Sequence, residues 1–241
     1  MILLFTDFGA GGPYVGQMRA VLAREAPEVP VVDLMSDAPA FDAKASAYLL
    51  AALAGWMAPG DVCVAVVDPG VGGARDAVAL EADGCRFVGP DNGLLAISAR
   101  HAEEARWWRI DWRPEALSAS FHGRDLFSPV AARLAKGEDP PGEPLDGAAP
   151  GGGTWPDDLA EIVYLDHFGN AMTGLRAAEL AEDARLAIGD KRLGRARTFS
   201  DVPEGSAFWY ENANGLAEIA VNGGRADKML VLDVGSPVKV V

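Results

Sequence analysis

The sequence predicts an α/β N-terminal domain, a mainly parallel sheet with flanking helices, followed by an all-β, barrel-like C-terminal domain. Three observations predict this. Strand-like apolar runs alternate with helix-like stretches in the first 140 residues or so. A break dense in Pro and Gly follows, KGEDPPGEPLDGAAPGGGTWP. Beyond it, short apolar runs recur between closely spaced turn signals, the pattern of a small barrel or sandwich. The division is therefore 1–140, a linker over 141–157, and 158–241.

Taken in order, residues 1–5 form an apolar run that reads as a buried strand. The stretch TDFGAGGPYVG turns the chain, and Val15, Met18, Val21 and Leu22 then recur at helical spacing. Residues 31–34 read as a strand and 42–56 as an apolar-rich helix. DVCVAVV, at 61–67, is a nearly continuous apolar strand ending at Asp68. Short strands are expected at 78–80, 86–88 and 106–110, and helices at 94–100 and 129–134. After the linker, strands are expected at 160–165, 185–188, 192–198, 207–210, 216–221 and 238–241.

A formal net charge of -14 argues against nucleic acid and anionic membranes, because both require a basic face. It leaves a cationic or zwitterionic small molecule open. The hydrophobic share of 49% is enough for a substantial core. Cys63 and Cys85 belong to no C-x-x-C motif and read as buried reduced thiols. No charged, cleavable leader and no apolar run of bilayer length is visible, so a cytoplasmic protein is expected.

The first glycine loop resembles a dinucleotide turn but does not fit one. Gly9 and Gly11 match the first two positions of G-x-G-x-x-G, but Tyr14 occupies the third. G-x-x-x-x-G-K-[ST] is absent from the sequence. Polar residues at the ends of apolar runs are more informative: Asp7, Asp68, Asp91 with Asn92, His122 with Arg124 and Asp125, and Asp166 with Asn170. Ligands bind at the carboxyl ends of strands in open α/β sheets, so these residues can converge. Each also has a plainer role as turn former, helix cap or structural ion pair. Two chemistries use such a set. One is metal-assisted hydrolysis by Asp7, Asp68, Asp91 and His122, although no recognised ligand pair such as H-x-H occurs. The other is metal-free, with Asp68, Arg75 and His122 around a water.

The motifs TDFG…PYVG, VVDPGVGGAR, GPDNG, FHGRDLFSPVAA and DHFGNAMT, in this order, resemble the S-adenosyl-L-methionine (SAM) hydroxide adenosyltransferases, relatives of the adenosyl fluorinase and chlorinase. The resemblance spans nearly the whole chain. It implies a homotrimer whose substrate lies between the N-terminal domain of one subunit and the C-terminal domain of its neighbour. It implies SAM and water giving adenosine and methionine, with neither metal nor cofactor. The family's Asp, Arg and His fall on Asp68, Arg75 and His122, a set the halogenating relatives do not keep intact. A halogenase is disfavoured because Asp68 would repel halide.

For substrate binding the resemblance implies Asp7 at the nucleoside end and Phe41 lining the pocket. Asp166 and Asn170 match residues that engage the methionine amino and carboxylate groups and the ribose side, and Phe168 would stack on adenine. NANGLAEIAVNG, from Asn212 to Gly223, resembles the segment gripping methionine and adenine, with Val221 and Gly223 offering main-chain groups. The chain departs from the family twice. Gly12 stands where the family's loop carries the aspartate that clamps the ribose hydroxyls, and DLMSDAP lacks a histidine often found near Ser36. Gly12 keeps a non-catalytic adenosyl-binding protein open as a second reading.

Overall fold

The computed structural model describes residues 1–145, 151 and 154–241. The chain divides into two compact units, Met1–Trp155 and Pro156–Val241. Residues 146–150 and 152–153 of the sequence-expected linker lie outside the described residues.

The first unit is built on a seven-stranded sheet ordered β2-β1-β3-β5-β4-β6-β7. Its strands are β1 (Ile2–Thr6), β2 (Val31–Met35), β3 (Val62–Val66), β4 (Ala77–Ala82), β5 (Cys85–Pro90), β6 (Ala105–Ile110) and β7 (Gly142–Leu145). Pairing is parallel across β2-β1-β3-β5 and antiparallel from β5 through β4 and β6 to β7. Every residue of β1 and β3 is buried, which explains their unbroken apolar runs. The helices are α1 (Pro13–Glu25), α2 (Ala43–Ala54), α3 (Ala96–His101) and α4 (Ser128–Ala135). On α1 the expected stripe packs through Val15, Met18 and Leu22. Asp42 caps α2 by accepting from the Ala45 amide at 2.9 Å.

The second unit holds a four-stranded sheet ordered β12-β13-β9-β8 and a three-stranded sheet ordered β11-β10-β14. These are β8 (Leu159–Leu165), β9 (Ala171–Arg176), β10 (Leu186–Ile188), β11 (Lys191–Leu193), β12 (Ala207–Glu211), β13 (Leu216–Val221) and β14 (Lys239–Val240), with a short helix α5 (Ala226–Leu230). Isolated bridges, Glu161 to Pro237 and Arg195 to Trp209, join the two sheets at both edges. The arrangement is barrel-like, but the ladders do not run continuously around it. The strand expected over 192–198 stops at Leu193. Past the Arg195 bridge, Thr198 and Asp201 form a capping box around a 3₁₀ turn, which ends extended pairing.

Candidate active site

The sheet order puts β1, β3 and β5 side by side and parallel, so their carboxyl ends meet at one edge. Asp7, Asp68 and the Asp91–Asn92 pair all follow those ends. This is where an open α/β sheet gathers ligands. Asn92 ties the loops together. Its Nδ2 donates to the Val67 carbonyl at 2.8 Å, and its Oδ1 accepts from the Leu94 amide at 3.2 Å. The residue before Asp68 is thereby fixed from the neighbouring strand.

Asp68 Oδ1 forms an ion pair with Arg75 Nη2. Among the described residues no donor is aligned on that oxygen as a hydrogen bond. The Asp68 side chain is 6% exposed. Burial pushes its carboxyl above the usual carboxylate range; Arg75, the Gly70 amide and His122 partly offset this, while Asp7 adds to it. A carboxylate so raised is a better proton acceptor than a solvated one. The loop makes room for the pair, because a Cβ at Gly70 would overlap the Arg75 guanidinium. His122 precedes a π-helical turn, Gly123–Phe127, that continues into α4. Such turns often occur at functional sites.

Asp68 and His122 line two cavities. One, of about 380 Å³, is walled by Phe8, Tyr14 and Phe121. Those three rings contact one another at centroid distances of 5.6, 5.8 and 5.3 Å. The other, of about 280 Å³, is polar and contains Arg75, Asp76 and Arg113. Asp7 Oδ2 accepts from the Phe41 amide at 3.0 Å. Phe41 adopts φ +62° and is 76% exposed. Arg124 and Asp125 form a forked pair at 2.6 and 2.9 Å, as the plainer reading had it, and the carboxylate also accepts from the Ser118 amide. Among the described residues no group of three or more His, Cys, Asp or Glu side chains is placed to hold a metal ion.

In the second unit, Asp166, Phe168, Asn170, Val221 and Gly223 line one cavity of about 590 Å³, together with Phe199 and Tyr210. Asp166 accepts from the Asn170 amide at 2.8 Å and from its Nδ2 at 3.0 Å. Phe168 is 72% exposed. Asn212 lies apart from this cavity. Its Oδ1 accepts from the Asn214 and Leu216 amides, shaping the β12–β13 turn.

Sequence reasoning missed Glu218, which is 2% exposed behind this cavity. It accepts from the Tyr210 hydroxyl at 2.8 Å and from Asn212 Nδ2 at 2.7 Å. Burial pushes its carboxyl up, against those hydrogen bonds. A lone Glu within the apolar run LAEIAV is the signal that could have found it. The aromatic wall of the first unit was missed too, since each ring reads as ordinary core.

Residues 2–143 match the model for the SAM hydroxide adenosyltransferase N-terminal domain, and residues 160–239 match that for its C-terminal domain. A protein of Salinispora arenicola named (R)-S-adenosyl-L-methionine hydrolase is 39% identical over 98% of this chain and 95% of its own length. One of the same name from Thermus thermophilus is 38% identical over 100% and 99%. A crystal structure of an uncharacterized conserved protein from Thermotoga maritima superposes with a TM-score of 0.89 at 28% identity, covering 100% of this chain and 99% of that one. With both of its halves matched, the chain belongs to the SAM hydroxide adenosyltransferase family.

Proposed function

We propose that this protein hydrolyses S-adenosyl-L-methionine to adenosine and L-methionine, using a water held by Asp68, Arg75 and His122. The observation that carries the reading is the Asp68–Arg75 pair, with the Asp68 side chain buried and His122 beside it, at the carboxyl edge of the sheet. The full-length relatives support the substrate; their names specify the R form, and we take that sulfonium epimer as substrate here.

The sulfonium is already a good leaving group, so methionine departs without a general acid. The demand falls on the water. It must be aimed at C5′ opposite the sulfur and lose a proton as it attacks. The C5′–O bond forms, the C5′–S bond breaks with its electrons going to sulfur, and Asp68 or His122 takes the proton. Orientation supplies about 7–11 kcal/mol and a positioned base roughly 10²–10⁴-fold. Arg75 fixes Asp68 and stabilises the hydroxide-like charge. Arg75 also supplies the positive charge that Asp68 faces, which favours a metal-free route over a phosphoesterase using Asp7, Asp68, Asp91 and His122.

For binding we propose Asp7 and Phe41 at the nucleoside end, and Asp166 and Asn170 on the methionine amino and carboxylate groups and the ribose side. Phe168 stacks on adenine, and Val221 and Gly223 offer main-chain groups to its edge. Asn212 contributes through the turn it shapes. We also propose the family's homotrimer, with each site shared between the N-terminal domain of one subunit and the C-terminal domain of its neighbour. The connection between domains begins after Leu145, because β7 belongs to the first sheet. Two buried free cysteines suit a reducing cytoplasm, where we place the protein.

The test is incubation with R-SAM and excess EDTA in ¹⁸O-water. Equimolar adenosine and methionine, with ¹⁸O in the 5′-hydroxyl, are expected. Activity abolished by EDTA would overturn the metal-free route. Gly12 favours a second reading, a non-catalytic adenosyl-binding protein, which predicts SAM bound without product.

A further inference from the structure

We propose that the attacking water arrives, and its proton leaves, through the polar cavity behind Asp68 and His122, separate from the aromatic-walled cavity that receives the adenosyl group. The inference rests on the hydrolase reading above and concerns how that site is supplied.

Asp68 and His122 form the common wall of the two cavities, and the two have opposite chemistry. Phe8, Tyr14 and Phe121 give one an apolar wall beside Asp68 and His122, suited to the ribose C5′ end of the adenosyl group. The other carries Arg75, Asp76 and Arg113. Asp76 and Arg113 are exposed at its rim, while Leu126 and Phe127 are buried at its floor. It therefore leads from solvent to Asp68.

The buried Asp68 Oδ1 lacks an aligned donor among the described residues. A carboxylate oxygen carries two lone pairs, so the ion pair with Arg75 leaves room for a further donor. A water on the polar side supplies it. The volume of about 280 Å³ admits several waters, at about 30 Å³ each. Ordered water needs two to four polar partners, roughly, and Asp68, Arg75, Asp76 and His122 provide them. The PGVGG loop packs closely against the other residues of this cavity's wall, which only glycine allows. A Cβ at Gly72, which has φ +79°, would strike the Ala119 carbonyl, and one at Gly70 would strike Arg75.

The arrangement resolves a conflict in the reaction. An adenosyl group filling the aromatic cavity excludes water from that side, as the chemistry wants. Each turnover still consumes one water and releases one proton. With a second route, the proton taken by Asp68 or His122 passes to waters in the polar cavity and out past Asp76 and Arg113, and one of those waters is the next nucleophile.

The test narrows the polar cavity without touching the charged centre. Ala119→Leu and Leu117→Trp are assayed with R-SAM beside the wild type, and folding is checked by thermal unfolding. Expected is a fall in kcat of about tenfold or more with KM changed less than about twofold. Folded variants with unchanged kcat overturn the inference while leaving the hydrolase reading intact. A wild type that does not cleave SAM overturns the hydrolase reading instead. A crystal structure of the full chain supplies the second measurement. Ordered water on Asp68 Oδ1 within the polar cavity supports the route, and a dry cavity overturns it whatever the activity.

Discussion

Asp68 in the first unit and Glu218 in the second are both carboxylates raised by burial beside a cavity, and the two are held in opposite ways. Asp68 meets a guanidinium in an ion pair through Oδ1, with no donor aligned on that oxygen as a hydrogen bond. Glu218 has neutral donors on both oxygens, the Tyr210 hydroxyl and the Asn212 amide. Burial raises both carboxyls above their ordinary range. The difference lies in spare capacity. Asp68 has an acceptor site left for a reacting water and a cation to balance the charge that develops. Glu218 has its hydrogen bonds filled, and it braces Tyr210 and the β12–β13 turn. Perturbed carboxyls therefore divide by what remains unpaired around them, more than by the shift itself.

The largest effect should come from removing the reactive member. Asp68→Ala and His122→Ala are each expected to lower kcat by about 10²–10⁴-fold while SAM affinity, read by calorimetry, changes little. Matching losses in affinity and turnover would erase the contrast with Glu218, since Asp68 would then be a binding or structural group.

A smaller effect is expected at Glu218, and in stability. Its folded carboxyl is raised, so the native state binds the proton more tightly than the unfolded chain. That contribution is fully present below the unfolded value and is lost as pH rises through the raised one. Denaturant midpoints of the wild type should therefore carry a falling component across that window, and Glu218→Gln should flatten it. Glu218→Ala strands two donors and should cost about 1–3 kcal/mol. If Glu218→Gln instead abolished turnover with stability intact, the two carboxylates would be alike in kind.

What the sequence made legible follows the same division. β1 and β3 stand out because burial on both faces leaves unbroken apolar runs, and Asp7 and Asp68 stand out because they end those runs. β7 reads as linker because GEPL has no strand-forming residues. It pairs as an edge strand, where Pro144 is tolerated. β9, AMTGLR, hides behind a glycine required by packing, since a Cβ at Gly174 would lie 2.7 Å from Leu159 Cβ. Glu218 escaped notice because β13 is buried at every position, which removes the alternation that marks an inward polar residue. The aromatic wall escaped because Phe8, Tyr14 and Phe121 meet only after folding.

The smallest expected effect is a gain, and it bears on whether the first unit's cavity is tuned for an adenosyl ribose. Gly12 sits at the N-cap of α1 in extended conformation, with no side chain to cap the helix. A Cβ there would lie 3.3 Å from the Phe8 carbonyl and 3.6 Å from Tyr14 Cδ2, so an aspartate fits with a slight shift. Gly12→Asp should act twice. At the helix N-terminus Asp exceeds Gly by a few tenths of a kcal/mol, read as a small rise in thermal midpoint. Over the cavity, a carboxylate accepting ribose hydroxyls is worth about 1.5–3 kcal/mol before the strain against Phe8 and the freezing of the side chain are subtracted. The net expectation is SAM bound about tenfold more tightly, near 1.4 kcal/mol, with kcat unchanged. The stability gain alone, without tighter binding, would mean that the loop no longer meets the ribose. The reactive carboxylate would then stand beside a cavity whose ligand is held mainly by its aromatic wall.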